Sequence, residues 1–184
     1  MPRVRFATVQ ALLETFPEVA MQIGTAPADQ PPIEFLRSLA TQGRFPEAVT
    51  FCAHLLPRRE AVWWACGCTR ALLDEMPPER WEGLLAAESW VQRPDDEHRT
   101  AALDVATKGD QNDPLTWLAR AAAWSSGFWV ATAEMQVPVP PYMTARLAGA
   151  AILGCTATLG KAERESRLRS CIAEGIKLAE TGLG

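Results

Sequence analysis

The sequence predicts an all-α fold, and three observations support this prediction. Apolar residues recur at the three- and four-residue spacing of a helix, as in Phe45, Val49, Cys52 and Leu56. Strand-like alternation is almost absent, and prolines and glycines stand at short intervals between the apolar segments. We therefore expect an irregular bundle of about eight helices in antiparallel pairs. A solenoid-like stack of pairs is the alternative, although no self-similar period occurs.

The helices can be placed in order from their prolines and glycines. A first helix is predicted over residues 8–15, with an extension through 19–23, and residues 24–32 form a loop by their glycine and proline content. Proline favours the first turn of a helix. The next six helices are therefore predicted to begin at or close to Pro32, Pro46, Pro57, Pro77, Pro94 and Pro114.

Residues 125–141 interrupt the helical pattern. Their prolines forbid a central strand and favour polyproline geometry around Val137 and Val139. Two helices over 142–159 and 161–180 follow, with Gly160 between them, unless they form one kinked helix. We expect a single domain over residues 1–184, in which residues 1–30 are a loosely attached helix and loop.

The composition excludes several classes of protein. Hydrophobic residues make up 48% and charged residues 22%, as is typical of soluble globular domains. The net charge of -4 argues against binding of nucleic acid or of acidic membrane surfaces. No secretory signal is recognisable, and the apolar segment 147–159 is shorter than the roughly 20 residues that cross a bilayer. We expect a cytoplasmic protein without membrane insertion.

Metal, cofactor and thiol chemistry have weak support in the sequence. Five cysteines form no C-x-x-C motif, which is typical of free thiols in a reducing compartment. Cys66 and Cys68 would lie about 200° apart around a helix, so they cannot share a disulfide or a metal. We interpret them as small apolar residues of the core. His54 and His98 lack partners at helical zinc-site spacing. No metal or cofactor is expected, and a thiol-redox role is the third hypothesis for function.

Catalytic motifs are also missing from the sequence. It contains no G-x-S-x-G, no Walker-type phosphate loop and no G-x-G-x-x-G. The carboxylate pairs Asp95-Asp96 and Glu163/Glu165 are typical of a helix first turn and of a charged face. We expect no catalytic residue and no enzymatic activity.

Tryptophan is abundant, with seven residues against one tyrosine. Adjacent Trp63 and Trp64 would point about 100° apart on a helix. Their helix should therefore be covered on two sides and lie at the centre of the bundle.

Two residue pairs are candidates for a binding site. Arg58 and Arg59 follow Pro57 in a helix first turn, where free N–H groups favour anions and two guanidinium groups could clamp one. An intramolecular ion pair with another helix is the alternative. Phe128 and Trp129 lie in the irregular segment, where an exposed aromatic pair would be an interaction hot spot. The alternative is that they belong to the core.

Four motifs resemble an uncharacterised, all-helical bacterial family. They are L-P-R-R-E-A-V-W-W-A-C at 56–66, A-A-E-S-W-V at 86–91, A-x-W-S-x-G at 122–127 and V-P-V-P-P at 137–141. The resemblance spans about residues 30–180 and brings no known chemistry. Members are encoded near type VI secretion genes in proteobacteria, which implies a cytoplasmic accessory or adaptor role.

The leading hypothesis is a non-enzymatic helical interaction module, an adaptor or accessory protein of a secretion system. It would bind a protein partner through Phe128 and Trp129, and self-association is also open. The alternative is a domain that binds a small molecule or anion through Arg58, Arg59 and a pocket between helices.

Overall fold

The computed structural model describes residues 5–24, 29–73, 81–131 and 134–183. Within those residues the chain forms ten helices and one pair of short antiparallel strands. In chain order they are α1 (Val9–Thr15), α2 (Pro17–Ile23), α3 (Pro32–Thr41), α4 (Phe45–Leu55), α5 (Arg58–Leu72), α6 (Glu82–Gln92), α7 (Asp96–Lys108), α8 (Pro114–Ala123), β1 (Phe128–Ala131), β2 (Gln136–Pro138), α9 (Met143–Cys155) and α10 (Lys161–Thr181). The predicted all-α class is confirmed, with ten helices instead of about eight.

The helix starts follow from local capping. Thr8 accepts a hydrogen bond from the backbone N–H of Ala11, Asp95 from that of His98 and Asp113 from that of Leu115. Proline occupies the first turn of α2, α3, α4 and α8 and stands just before α5. The predicted starts at five of the six prolines are thereby confirmed to within two residues. The sixth, Pro77, lies outside the described residues, and α6 begins at Glu82.

The two C-terminal helices are separate. Helix α9 ends at Cys155, and α10 begins at Lys161 after Gly160. A single kinked helix is therefore the wrong alternative.

The chain folds back on itself around one apolar core. Helix α9 contacts α4, α5 and α8, and α10 contacts α3, α4 and α5. In a solenoid each unit would contact only its neighbours in sequence, so the irregular bundle is the better description. The same core contains Leu12 and Phe16 from the N-terminal segment together with Phe51, Leu118 and Ile152.

Helix α5 has the predicted central position, but only one of its two adjacent tryptophans is buried. It contacts α4, α6, α8, α9 and α10. Trp64 is 3% exposed, and its Nε1–H donates to the carbonyl oxygen of Cys171 at 2.8 Å. Trp63 is 42% exposed. The Trp63 indole is therefore only partly covered, since it lies on the wall of an open groove between α5 and α10.

Two glycines allow very close approach between helices. A Cβ atom on Gly83 of α6 would lie 2.3 Å from the carbonyl oxygen of Leu115 in α8. A Cβ on Gly175 of α10 would lie 2.4 Å from Sγ of Cys52 and 3.0 Å from Nε1 of Trp64. A Cβ at either distance would force neighbouring atoms to shift, and at Gly83 those atoms belong to the backbone of α8, so glycine suits both positions.

A buried histidine faces the N-terminal helices. His54 is 2% exposed, and its Nδ1–H donates to the carbonyl oxygen of Thr50 at 2.8 Å. Its Nε2 lies 3.9 Å from Oε1 of Glu18 in α2, and neither atom has a hydrogen-bond partner. Burial lowers the pKa of His54; nearby Arg5 and Arg146 act in the same direction, against the Thr50 hydrogen bond and the charge of Glu18. The neutral imidazole is thus the favoured form in the folded protein.

Folding stability should consequently fall in mild acid. Because the folded pKa of His54 lies below its ordinary 6.5, the unfolded chain binds more protons once the pH falls through that value. We expect the free energy of unfolding to decrease below about pH 6.5, by at most about 1.4 kcal/mol per pH unit. Urea unfolding at a series of pH values between 7.5 and 5.5 measures this.

The variant His54→Gln should remove most of this pH dependence. His98→Gln is the matched control, because His98 is the other histidine of the chain and lies on the exposed start of α7. An unchanged pH dependence in His54→Gln would contradict the assignment.

Candidate functional site

A β-hairpin occupies the segment predicted to be irregular. Strands β1 and β2 pair antiparallel, with Phe128 opposite Pro138 and Val130 opposite Val137. The expected polyproline geometry is wrong at Val137, which lies in β2. Pro138 fits this strand because a two-stranded sheet has only edge strands, where one backbone N–H is dispensable. The aromatic and β-branched residues of β1 also favour a strand.

Trp129 is the additional residue of a β-bulge in this hairpin. Two residues of β1, Phe128 and Trp129, stand against one on β2 before the register resumes at Val130. The Trp129 indole stacks on that of Trp124, which follows α8, with ring centroids 5.4 Å apart and an interplanar angle of 27°. Trp129 is thus held against the bundle by one face while the rest of the ring remains open to solvent.

The start of the hairpin is fixed by backbone contacts. Gly127 has a φ of +84°, a conformation that side-chain-bearing residues rarely adopt. Its carbonyl oxygen accepts a hydrogen bond from the N–H of Val139 at 3.0 Å. Thr144 of α9 donates its hydroxyl to the carbonyl oxygen of Trp124 at 3.1 Å. The hairpin therefore leaves the bundle in a defined direction.

Exposed large apolar side chains concentrate on the hairpin. Seven such side chains are exposed in the described parts of the chain, and four of them lie between residues 128 and 137. Phe128 is 49% exposed and Trp129 48%; Met135 and Val137 are also exposed. We call these four residues the hairpin patch. The sequence analysis predicted the two aromatic residues as a binding site but not Met135 and Val137. These two were missed because the chain was not expected to fold back as a second strand beside Phe128 and Trp129.

The two N-terminal arginines of α5 bind backbone oxygens of neighbouring helices. Arg58 donates from Nη1 to the carbonyl oxygen of Ser125 at 2.6 Å, and Arg59 donates from Nε to that of Val91 at 2.8 Å. Val91 lies in the last turn of α6, where carbonyls lack partners within the helix and the dipole is negative, whereas Ser125 lies two residues after the end of α8. Arg59 therefore caps α6, and Arg58 ties α5 to the segment that follows α8. The two arginines thus have intramolecular partners, as the alternative predicted, but these partners are backbone carbonyl oxygens and not carboxylates.

A cavity of about 330 Å³ lies beside these arginines. Its wall includes Arg58, Arg59 and Arg99 together with Asp95 and Asp96. Arg99 is paired with Asp96 at 2.6 Å, so part of the positive charge is already neutralised. Anion binding by Arg58 and Arg59 stays a prediction.

Residues 5–24, 29–73, 81–131 and 134–183 contain no group of three or more histidine, cysteine or acidic side chains arranged to hold a metal ion. None of the helices described has both the length and the apolar character needed to span a membrane.

Comparison with known proteins places the chain in a family. Residues 35–179 match the sequence profile of a family of unknown function, DUF6931. The chain belongs to DUF6931. This agrees with the resemblance to an uncharacterised family, while nothing in the match concerns type VI secretion or proteobacteria. No curated protein matches the chain, and no solved structure matches it.

The DUF6931 match covers the candidate sites but not the whole core. The arginines of α5 and the hairpin lie within the matched residues, whereas α1 and α2 precede them.

Proposed function

We propose that this DUF6931 protein is a non-enzymatic interaction module that binds a protein partner through the hairpin patch. The observation that supports the proposal is the exposure of Phe128, Trp129, Met135 and Val137 on one short hairpin. Apolar side chains grouped at a surface are typical of interaction sites.

The geometry of Trp129 favours a role in binding. Tryptophan is enriched at the energetically dominant positions of interfaces. The stack on Trp124 restricts the rotation of the Trp129 indole before any partner arrives. A side chain that is already ordered loses less conformational entropy on binding, so more of its contact energy contributes to affinity.

The hairpin also gains stability from its attachment to the bundle. An isolated two-stranded hairpin is marginally stable in water. Here the stack of Trp129 on Trp124 holds the hairpin to the end of α8, and the bond from Val139 to Gly127 closes its base. The hairpin that carries the exposed side chains is therefore stabilised by the bundle.

More specifically, we propose that the protein is an adaptor or accessory protein of a bacterial secretion system and acts in the cytoplasm. It rests on the resemblance of the four motifs to a family encoded near type VI secretion genes. A secretion component recovered with the purified protein would support this form.

Replacement of the aromatic pair tests the proposed function. A partner is first identified by affinity capture with the wild-type protein and then purified. We expect Phe128→Ala/Trp129→Ala to weaken its binding by at least about 30-fold, since the loss of even one hot-spot residue costs about 2 kcal/mol. Isothermal titration calorimetry with both proteins measures the change in Kd.

The matched control is Met21→Ala/Leu85→Ala, which removes two exposed apolar side chains remote in sequence from the hairpin. It should bind like the wild type, and circular dichroism should show the same helix content in all three proteins. Equal recovery of every partner by the aromatic double variant would remove the hairpin patch as the docking surface.

A further inference from the structure

Two cysteines from distant parts of the sequence meet at the groove between α5 and α10. The groove holds a cavity of about 450 Å³, and both Cys68 of α5 and Cys171 of α10 form part of its wall. Trp63, Gly67 and Leu72 also line it. Each cysteine is itself about 5% exposed, so the cavity is the route by which a small reagent reaches the sulfur atoms.

The two sulfurs lie close together on the wall of the same cavity, near enough for a hydrogen bond between the thiols. Trp64 donates to the carbonyl oxygen of Cys171, and Gly175 lets α10 approach that indole closely. These contacts hold the two helices at a separation that keeps the sulfurs together.

The partners of the two sulfurs make them chemically unequal. The bond from Cys68 lowers the pKa of Cys171, with the backbone and the positive charge of Arg167 acting in the same direction against burial. The same bond, together with burial, raises the pKa of Cys68. Burial raises the pKa of Cys52 and Cys66 and raises that of Cys155 to about 12. Arg167 lines the same cavity, so Cys171 is the sulfur of the pair with a positive charge beside it, which favours its thiolate.

We propose that Cys68 and Cys171 form a dithiol site that is oxidised by hydroperoxides, with Cys171 as the attacking sulfur and Cys68 as the resolving one. This inference concerns a different surface from the hairpin patch and does not depend on the proposed function.

The reaction has two balanced steps. The Cys171 sulfur attacks the terminal oxygen of the hydroperoxide ROOH; the O–O bond breaks, a sulfenic acid forms, and ROH leaves with the thiol proton. The Cys68 sulfur then attacks the sulfenic sulfur, forming the S–S bond and releasing water made from the hydroxyl group and the Cys68 proton. Two thiols are oxidised by two electrons and one hydroperoxide is reduced. A dithiol reductant reverses the result.

Peptide mapping of the folded wild-type protein after treatment with hydrogen peroxide tests the proposal. Free thiols are alkylated and the chain is digested with trypsin without reduction. We expect a disulfide that joins residues 60–70 to residues 170–177, two hydrogens lighter than the separate peptides and cleaved by dithiothreitol. Cys66→Ser should retain this link and Cys68→Ser should lose it, which assigns the sulfur within 60–70.

Cys155 is the internal control. It is more exposed than Cys68 and Cys171, so oxidation that followed exposure alone would reach it first. Cys171→Ala should slow the loss of free thiols by about tenfold or more, since the remaining sulfurs are less ionised. A link through Cys52 or Cys66, or oxidation of Cys155 while the pair stays reduced, would overturn the proposal. The wild-type map decides the matter even if a variant fails to fold.

Discussion

Gly83→Ala should lower the free energy of unfolding by about 3 kcal/mol, because the added methyl group has no space in the contact between α6 and α8. The new Cβ would lie 2.3 Å from the carbonyl oxygen of Leu115 and 2.6 Å from its carbonyl carbon. Both are backbone atoms within a helix, so they cannot move aside as the end of a flexible side chain could. One of the two helices must shift, which disturbs the packing around buried residues such as Leu84 of α6 and Leu118 of α8.

Chemical unfolding followed by circular dichroism measures this effect. Gly67→Ala is the matched control, because Gly67 also lies within a helix but has no atom within 4 Å of the position of its Cβ. There the lower backbone entropy cost and higher helix propensity of alanine should raise stability by about 0.5–1 kcal/mol. If the two variants changed stability in the same direction, the close approach of α6 and α8 would be wrong.

Trp64→Ala should lower the free energy of unfolding by about 4 kcal/mol, while Trp63→Ala should lower it by less than about 1 kcal/mol. The two residues are adjacent in α5, but Trp64 is 3% exposed and Trp63 is 42% exposed. Removal of Trp64 leaves a cavity between α5 and α10 and takes away the donor to the Cys171 carbonyl. Removal of Trp63 leaves a gap that water fills.

Urea unfolding at neutral pH, monitored by far-UV circular dichroism, gives both values without relying on the fluorescence of the substituted residue. Each variant is the other's control, since the same side chain is removed from the same helix. Similar losses in both variants would mean that the indole of Trp63 is also buried.

The sequence was most informative where structure depends on local chemistry. Prolines at first turns and the acidic cap Asp95 act within a few residues of the chain, so the helix starts could be predicted. The hairpin was missed because strand formation at Phe128 depends on pairing with Pro138, and strand propensity varies strongly with such context.

The contacts at the candidate sites were less predictable for a different reason. Arg58 and Arg59 bind backbone oxygens, and every residue has one, so no residue type in the sequence marks the partner. The contact between Cys68 and Cys171 joins two helices far apart in the chain, and only the packing of the whole bundle creates it. Helical geometry did separate Cys66 from Cys68, but it could not show which distant sulfur each would meet.

Two arginines near the base of the hairpin limit how it can move relative to the bundle. Arg58 of α5 and Arg99 of α7 bind the carbonyl oxygens of Ser125 and Ala123, immediately before the hairpin begins. A force on the hairpin patch would therefore be transmitted to α5 and α7 through charge-assisted hydrogen bonds. The segment 124–127 would not act as a flexible hinge. We therefore expect the hairpin and the bundle to move together when a partner binds to the hairpin patch.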